Sequence, residues 1–168
     1  VKDEATPSAV LIAFTSIDNK LQCIVTKRSA NIRFGGHICF PGGKLDPNDI
    51  SPESTALREA TEEIGLEPDR VNILGSLGEY YTQTGYCITP IVAVTHQPLS
   101  IEQDLNASDG EVEAIYAIPA ERFFHSDAYQ LQHFQLSPAI SRGHYAFNHE
   151  DIRIAGPTVS MMIGLYEE

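Results

Sequence analysis

Residues 9–15 and 21–27 are runs of apolar and β-branched side chains. The polar stretch at 16–20 between them has turn composition, so together they predict a β-hairpin. A glycine-punctuated segment follows at 35–43. Its end, Pro41-Gly42-Gly43 with Lys44, reads as a tight loop with exposed backbone N–H groups suited to lie against a phosphate. A further loop runs through Asp46, Pro47, Asn48 and Asp49. Ser51-Pro52-Glu53 then marks a helix start: a cap residue, proline in the first turn and an acid near the positive helix end. The predicted helix runs to about Ile64, with Gly65 as its stop. Residues 71–77, 86–95 and 111–118 read as strands, 119–124 as a short helix and 158–166 as a last apolar helix, while 125–150 has no decisive period. Mixed strands with two or three helices in this order predict an α/β (α+β) sandwich.

At about 100° per residue, Leu57, Ala60 and Ile64 form one narrow stripe expected to dock on the sheet. Glu59, Glu62 and Glu63 are placed on the opposite, exposed side. Glu59 and Glu63 stand four apart, so their carboxylates can converge, and Arg58 can hold Glu62 in the same way. An acidic helix face is ordinarily just a solvated face. Three like charges within one turn nevertheless repel, and a divalent cation reverses that penalty. Oxygen ligands in this number suit Mg²⁺ or Mn²⁺ rather than a soft metal.

The 168 residues, 42% hydrophobic, predict one domain over residues 1–168. No run approaches the roughly 20 apolar residues that cross a bilayer, no leader pattern opens the sequence, and Leu165-Tyr166-Glu167-Glu168 is no targeting tripeptide. The net charge of −12 argues against nucleic acid as a partner, because phosphate backbones need clustered cations. An acidic protein that binds a phosphorylated small molecule needs a metal ion or a few local cations to offset repulsion. The three cysteines, Cys23, Cys39 and Cys87, have no paired spacing and read as buried, reduced thiols of a cytoplasmic protein. His37, His96, His125, His133, His144 and His149 show no ligand spacing and receive no role.

Gly43, Arg58, Glu59, Glu62, Glu63, Gly65 and Leu66, with Ala60 at an apolar position, resemble the Nudix box, G-x5-E-x7-R-E-U-x-E-E-x-G-U with U apolar. Asp49 stands where the box has its first glutamate, and eight residues rather than seven separate it from Arg58, so the first acid is either Asp49 or Glu53. The surrounding sequence is similar to the coenzyme A pyrophosphatase group. Its upstream signature is matched by residues 24–29, Arg33, Gly36 and 40–43, with one residue fewer between Arg33 and Gly36. Asp46, Asp49 and residues 55–60 continue the likeness, as does Thr84-Gly85-Tyr86-Cys87-Ile88-Thr89-Pro90-Ile91-Val92. Ala155-Gly156-Pro157-Thr158 departs from the group's W-G-x-T run.

The resemblance implies a Nudix-type α/β/α sandwich around a mixed sheet. It also implies Mg²⁺- or Mn²⁺-dependent hydrolysis of a diphosphate bond in a nucleoside-diphosphate derivative. The expected substrate is coenzyme A or acyl-CoA, giving 4′-phosphopantetheine or its acyl form and adenosine 3′,5′-bisphosphate. Glu59, Glu62 and Glu63 would be the metal ligands, Arg58 would orient them, and Gly42 and Gly43 would border substrate. The general base is either a box glutamate or Glu111 from a distant loop. Lys27, Arg28 and Arg33 are candidates for the substrate's 3′-phosphate. Two other readings stand beside this one. A hydrolase of ADP-ribose or dinucleoside polyphosphates would use Tyr81, or its neighbour Tyr80, to stack the base. A non-catalytic nucleotide-binding module would have the same fold. The expected partner is the small-molecule substrate, without nucleic acid or membrane, and a homodimer is compatible with it.

Overall fold

The computed structural model describes residues 4–137 and 140–167, excepting the side chains of 132–137, 140–144, 166 and 167. The predicted hairpin is β1 (Thr6–Ile17) and β2 (Lys20–Arg28), which pair antiparallel with Ile17 opposite Lys20. Its turn is two residues, Asp18 and Asn19, with φ of 53° and 63°. Asp and Asn tolerate this left-handed backbone, which matches the twist of a two-residue hairpin. Beyond the turn the strands diverge, and the glycine-punctuated segment fills the fork. Ile38–Cys39 forms β3 on β2, and Gly42–Lys44, expected as a tight loop, forms β4 on the first half of β1.

The helix α1 (Pro52–Ile64) follows. Ser51 and Ser54 cap each other reciprocally at 3.1 Å, and Gly65 closes the helix at φ 70°. Then come β5 (Val71–Ser76), β6 (Tyr80–Tyr81), β7 (Tyr86–Thr95), the one-turn helix α2 (Ile101–Asp104), β8 (Val112–Pro119) and α3 (Ala120–Phe123). The stretch 125–150, without a clear period in the sequence, contains β9 (Tyr129–Ser137) and β10 (Ile140–His149). With β11 (Ile152–Ile154) these form a separate antiparallel sheet. The chain continues into α4 (Pro157–Glu167). In the main sheet the order is β3-β2-β1-β7-β5, with β4 on β1, β6 on β7 and β8 on β2. β1 and β7 run parallel and the other pairs antiparallel, so the sheet is mixed.

Alternation along β1 divides the core in two. Ala9, Leu11 and Ala13 point toward α1 and pack with Ala56, Ala60, Ile64, Leu66 and Ile91. Ile12 and Phe14 point the other way, into a cluster with Phe40, Phe123, Phe147, Ile154, Val159 and Met162. The result is an α/β sandwich: α1 on one face, and α3, α4 and the small sheet on the other. Leu57, expected in the docking stripe, is only half-buried, whereas Ala56 is fully buried beside Ala60 and Ile64.

The aromatic cluster generates a prediction. The Phe123 ring is fully buried and meets Phe14 and Phe147 edge-on, with centroids 6.5 and 5.6 Å away. Phe123→Ala should cost about 3–5 kcal/mol, the range for emptying an aromatic site in a packed core. Urea unfolding measures it, and a loss below about 1 kcal/mol is inconsistent with this packing.

Candidate active site

Strand β4 carries two glycines where α1 crosses it. A methyl group on Gly42 would collide with the Ala9 carbonyl and stand 2.7 Å from the Val10 Cα; one on Gly43 would stand 2.6 Å from a Glu59 carboxylate oxygen. Both positions therefore admit glycine and the acids lie directly on the strand. The Gly42 N–H, expected to be exposed to a phosphate, instead donates to Glu63 Oε2 at 3.1 Å.

Glu63 accordingly does not sit on an exposed face: it is 7% accessible. On the helical wheel it lies about 60° from Ala60, at the edge of the docked stripe rather than opposite it. The glycine strand leaves room for that edge to be covered. Burial pushes the Glu63 carboxyl up to about 8, with Glu59 and Glu111 adding to the shift and the Gly42 N–H and Arg28 opposing it. Burial also raises Glu59, while Arg58 beside it pulls the other way.

Arg58 organises the outer side. It donates to Asp49 through Nε and Nη2, both at 3.0 Å, to Glu59 at 3.1 Å, to both Glu62 oxygens at 3.2 Å and to the Lys44 carbonyl at 3.2 Å. Glu62 is thus held outward on the arginine rather than turned toward Glu63. Asp49 also accepts from the Thr55 hydroxyl at 2.8 Å and from the Asp46 N–H, and Arg58 holds its carboxyl well below the usual carboxylate range. Glu53, the other contender for the first acid, makes no such contact among the described residues.

Glu111 reaches this site through the loop before β8. The Ser108 N–H donates to the Glu63 carbonyl at 2.8 Å and the Asn106 N–H to the Ile64 carbonyl at 2.9 Å, which pins the loop to the helix end. The exposed Glu111 carboxylate is then near enough to raise both Glu59 and Glu63. Among the described residues no three His, Cys, Asp or Glu side chains form a ready metal cage. The donors that face one another, Glu59 and Glu63 with Glu111 beside them, are hard carboxylate oxygens in a negative setting, which fits a hard divalent cation.

The remaining candidates are scattered. Lys27 is in an ion pair with Glu113 at 3.0 Å. Arg28 donates through Nε to the Arg33 carbonyl at 2.9 Å, and Arg33 donates to the Tyr86 hydroxyl at 3.2 Å. Tyr81 donates to Glu79 at 3.1 Å; Tyr80 donates to Ser160. Lys44, from the loop expected to lie against a phosphate, and Tyr86, from the run at 84–92, gather around Arg33, because the pairing of β4 and β7 with β1 brings them together. Cys23 is buried, Cys39 and Cys87 are half-buried, and none is bridged. The side chains of His133 and His144 lie outside the described residues. A cleft of about 580 Å³ opens at the hairpin turn, lined by Ser16, Asp18, Gln22, Pro98, Ser100 and Glu102, and none of the site carboxylates borders it.

The raised Glu63 carboxyl has a consequence for stability. A folded-state value of about 8 lies above the ordinary 4.5, so the contribution is whole below about 4.5 and is lost as pH rises through 8. Metal-free protein should therefore lose thermal stability between about pH 4.5 and 8, and Glu63→Gln should flatten that limb. Asp49 has the opposite sign, its contribution disappearing only on strong acidification. Melting in chelator across this range is the check; identical limbs in wild type and variant count against a strained buried acid.

A family model described as NUDIX domain matches residues 5–139. The mouse (Mus musculus) peroxisomal coenzyme A diphosphatase NUDT7 is 34% identical over 122 residues, 72% of this chain and 50% of that protein. Nudix hydrolase 3 of Caenorhabditis elegans is 37% identical over 71% of this chain and 50% of that protein. The Nudix hydrolase NudL of Photorhabdus laumondii is 36% identical over 71% of this chain and 60% of its own. The chain thus spans about half to three-fifths of the length of these relatives. Among solved structures, the NUDIX domain of Shewanella oneidensis NrtR complexed with ADP ribose superposes with a TM-score of 0.60 at 16% identity, covering 97% of this chain and 87% of that one. A C. elegans Ap4A hydrolase gives 0.57 at 17% identity over 68% and 80%. At such identities these two likenesses speak to fold alone. With its family match covering most of the sequence and Glu59, Glu62, Glu63 and Arg58 gathered on one helix against a di-glycine strand, the chain belongs to the NUDIX domain family.

Proposed function

We propose that this protein hydrolyses the diphosphate bond of a nucleoside-diphosphate derivative in a divalent-metal-dependent reaction, and that its substrate is coenzyme A or an acyl-CoA. The observation that carries the chemistry is Glu63: a buried carboxyl, fixed by one N–H and flanked by Glu59 and Glu111, is costly unless a cation is part of the working site. Mg²⁺ or Mn²⁺, when bound, supplies neutralisation of phosphate charge and a more acidic water.

Glu59 and Glu63 are the side chains assigned to hold the ion, with Glu62 as an outer acid on Arg58. Arg58 is a positioning residue. Through Asp49 and the Lys44 carbonyl it locks the helix to β4 and the loop before it, and Asp49 fills the place of the first box acid. Glu111 is assigned to take the proton as water attacks phosphorus and the bond to the departing phosphate breaks. The substrate assignment draws support from the 34% identity to the mouse coenzyme A diphosphatase and from the residues at 24–43 and 84–92. Adenosine 3′,5′-bisphosphate and 4′-phosphopantetheine, or its acyl form, are the products. The unbridged cysteines support a reducing compartment, of which the cytoplasm is one. Among the described residues no helix is long and apolar enough to cross a membrane.

Excess chelator should abolish hydrolysis and Mg²⁺ or Mn²⁺ should restore it; full turnover in chelator sinks the metal-dependent reading. In a panel of coenzyme A, ADP-ribose and a dinucleoside polyphosphate, coenzyme A should have the highest kcat/KM, and a clear preference for either competitor reassigns the substrate class while leaving the hydrolysis itself standing.

Two variants address the site. Glu63→Gln keeps the shape and the Gly42 contact and should lower kcat on the order of 10²-fold or more, if its charge acts in the transition state. Gly43→Ala should displace Glu59 while the fold survives, because the collision is with a side chain, and should lower kcat by at least about tenfold. Wild-type kcat in both variants would falsify the assignment of these carboxylates.

A further inference from the structure

On the face of the main sheet away from α1, a cavity of about 210 Å³ opens between α4 and the bend that joins β5 to β6. Leu77, Tyr80, Pro90 and Met161 form much of its wall. The two hydroxyls of the lining, those of Tyr80 and Ser160, are hydrogen-bonded to each other at 3.1 Å. Glu79, the charged residue of the lining, is exposed, and its carboxylate accepts from Tyr81 at 3.1 Å and from the Cys87 thiol at 3.5 Å. A wall whose polar groups are engaged in this way suits an apolar occupant better than water, which needs two to four polar partners. Gly78 and Gly164 complete the lining, and a methyl group on either would meet nothing within 4 Å. Unlike Gly42 and Gly43, these glycines are not required by a close neighbour; they border open space.

The register of the sheet places this cavity relative to β4. Val10 pairs with Gly42 on one side and Pro90 on the other, so Pro90 lies two strand spacings, about 10 Å, from Gly42. Ser8 likewise stands between Lys44 and Ile88, and Ile88 pairs with Tyr80, which puts Tyr80 about 14 Å from Lys44. The proposed cleavage site adjoins β4. In coenzyme A the arm between the diphosphate and the sulfur has about twelve bonds, as many as four peptide units, and reaches about 14 Å when extended. An acyl group carried on that sulfur therefore starts where the cavity does.

We infer that this cavity receives the acyl chain of an acyl-CoA substrate, with the pantetheine arm spanning the strands between it and β4. The inference rests on the coenzyme A reading and deepens it, because it makes the acylated form the preferred substrate. Cavities of about 150 Å³ hold a benzene ring, so 210 Å³ takes a chain of about six to eight carbons. Leu77, Gly78 and Gly164 are then specificity-determining residues. Gly164 is the most telling of them: it lies one helical turn beyond Ser160 and Met161 on the same side of α4, and a side chain there would lean back over both, into the cavity.

The test is kcat/KM with Mg²⁺ for coenzyme A and for its butanoyl, octanoyl and dodecanoyl thioesters. In the wild type the octanoyl thioester should exceed coenzyme A by about tenfold or more, since each buried methylene contributes up to roughly fourfold. The dodecanoyl thioester should gain nothing further, its chain having outgrown the cavity. Gly164→Leu fills the space from the helix and should cut the octanoyl-to-coenzyme A ratio about fivefold or more, and the butanoyl ratio less. Leucine is a better helix former than glycine, so this variant should melt no lower than the wild type, which separates filling from unfolding. Gly78→Leu fills the space from the opposite wall and decides the matter if the helix variant melts early. An undiminished octanoyl ratio in the folded variant overturns the assignment, as does a wild type that treats coenzyme A and its octanoyl thioester alike; in both cases hydrolysis of coenzyme A still stands. No turnover of any of the four substrates overturns the cavity together with the reading on which it rests.

Discussion

A helix that carries carboxylates along the edge of its buried face can dock only where the opposing strand offers no side chains. Gly42 and Gly43 make that docking possible. One lends its N–H to Glu63, and the other lies so close to Glu59 that a methyl group there would push the carboxylate aside. The strand exists because β1 and β2 diverge beyond their turn and open the β2-side edge of the first half of β1, which β4 fills. The hairpin, the fork, the glycine strand and the acidic helix are one construction, and moving any of them moves the carboxylates.

The cost of this arrangement is electrostatic. Burying Glu63 beside two other acids disfavours its ionised form, and the Gly42 N–H offsets only part of that. Arg58 does not relieve Glu63 directly. It gathers Asp49, Glu59 and Glu62 on the outer side and leaves the inner carboxylate exposed to its neighbours. The helix edge is therefore polarised: an outer rim of acids held by Arg58, and an inner carboxylate, Glu63, held by the Gly42 N–H. Such polarity suits the divalent cation proposed for this site.

The features legible in the sequence are those set by local chemistry. Ser51 and Pro52 open α1 and Gly65 ends it because cap geometry depends on adjacent residues. The hairpin follows from alternation and a two-residue turn. The motif from Gly43 to Leu66 marked the acids, and the resemblance brought in the family. What escaped notice was set by distant contacts. β3 and β4 are too short to have a period of their own, and they form only because the fork accepts them. The meander β9–β10–β11 likewise depends on pairing partners. Glu63 looked exposed because a charge at the margin of a stripe is normally outside; only the missing side chains of β4 reverse that. Lys44 and Tyr86 are far apart in sequence, and only the pairing of their strands with β1 brings them together.

The distribution of cations completes the picture. Lys27, Arg58, Arg70 and Arg122 each have an acidic partner, as an acid-rich chain makes easy. Arg33 and Lys44 share an aromatic ring, and Arg28 secures the Arg33 loop through its carbonyl. With acids in such surplus, random placement would leave an arginine beside a carboxylate more often than beside a lysine. Among the described residues Arg33 and Lys44 have no carboxylate partner, so regions of opposite sign adjoin on the two faces of β4.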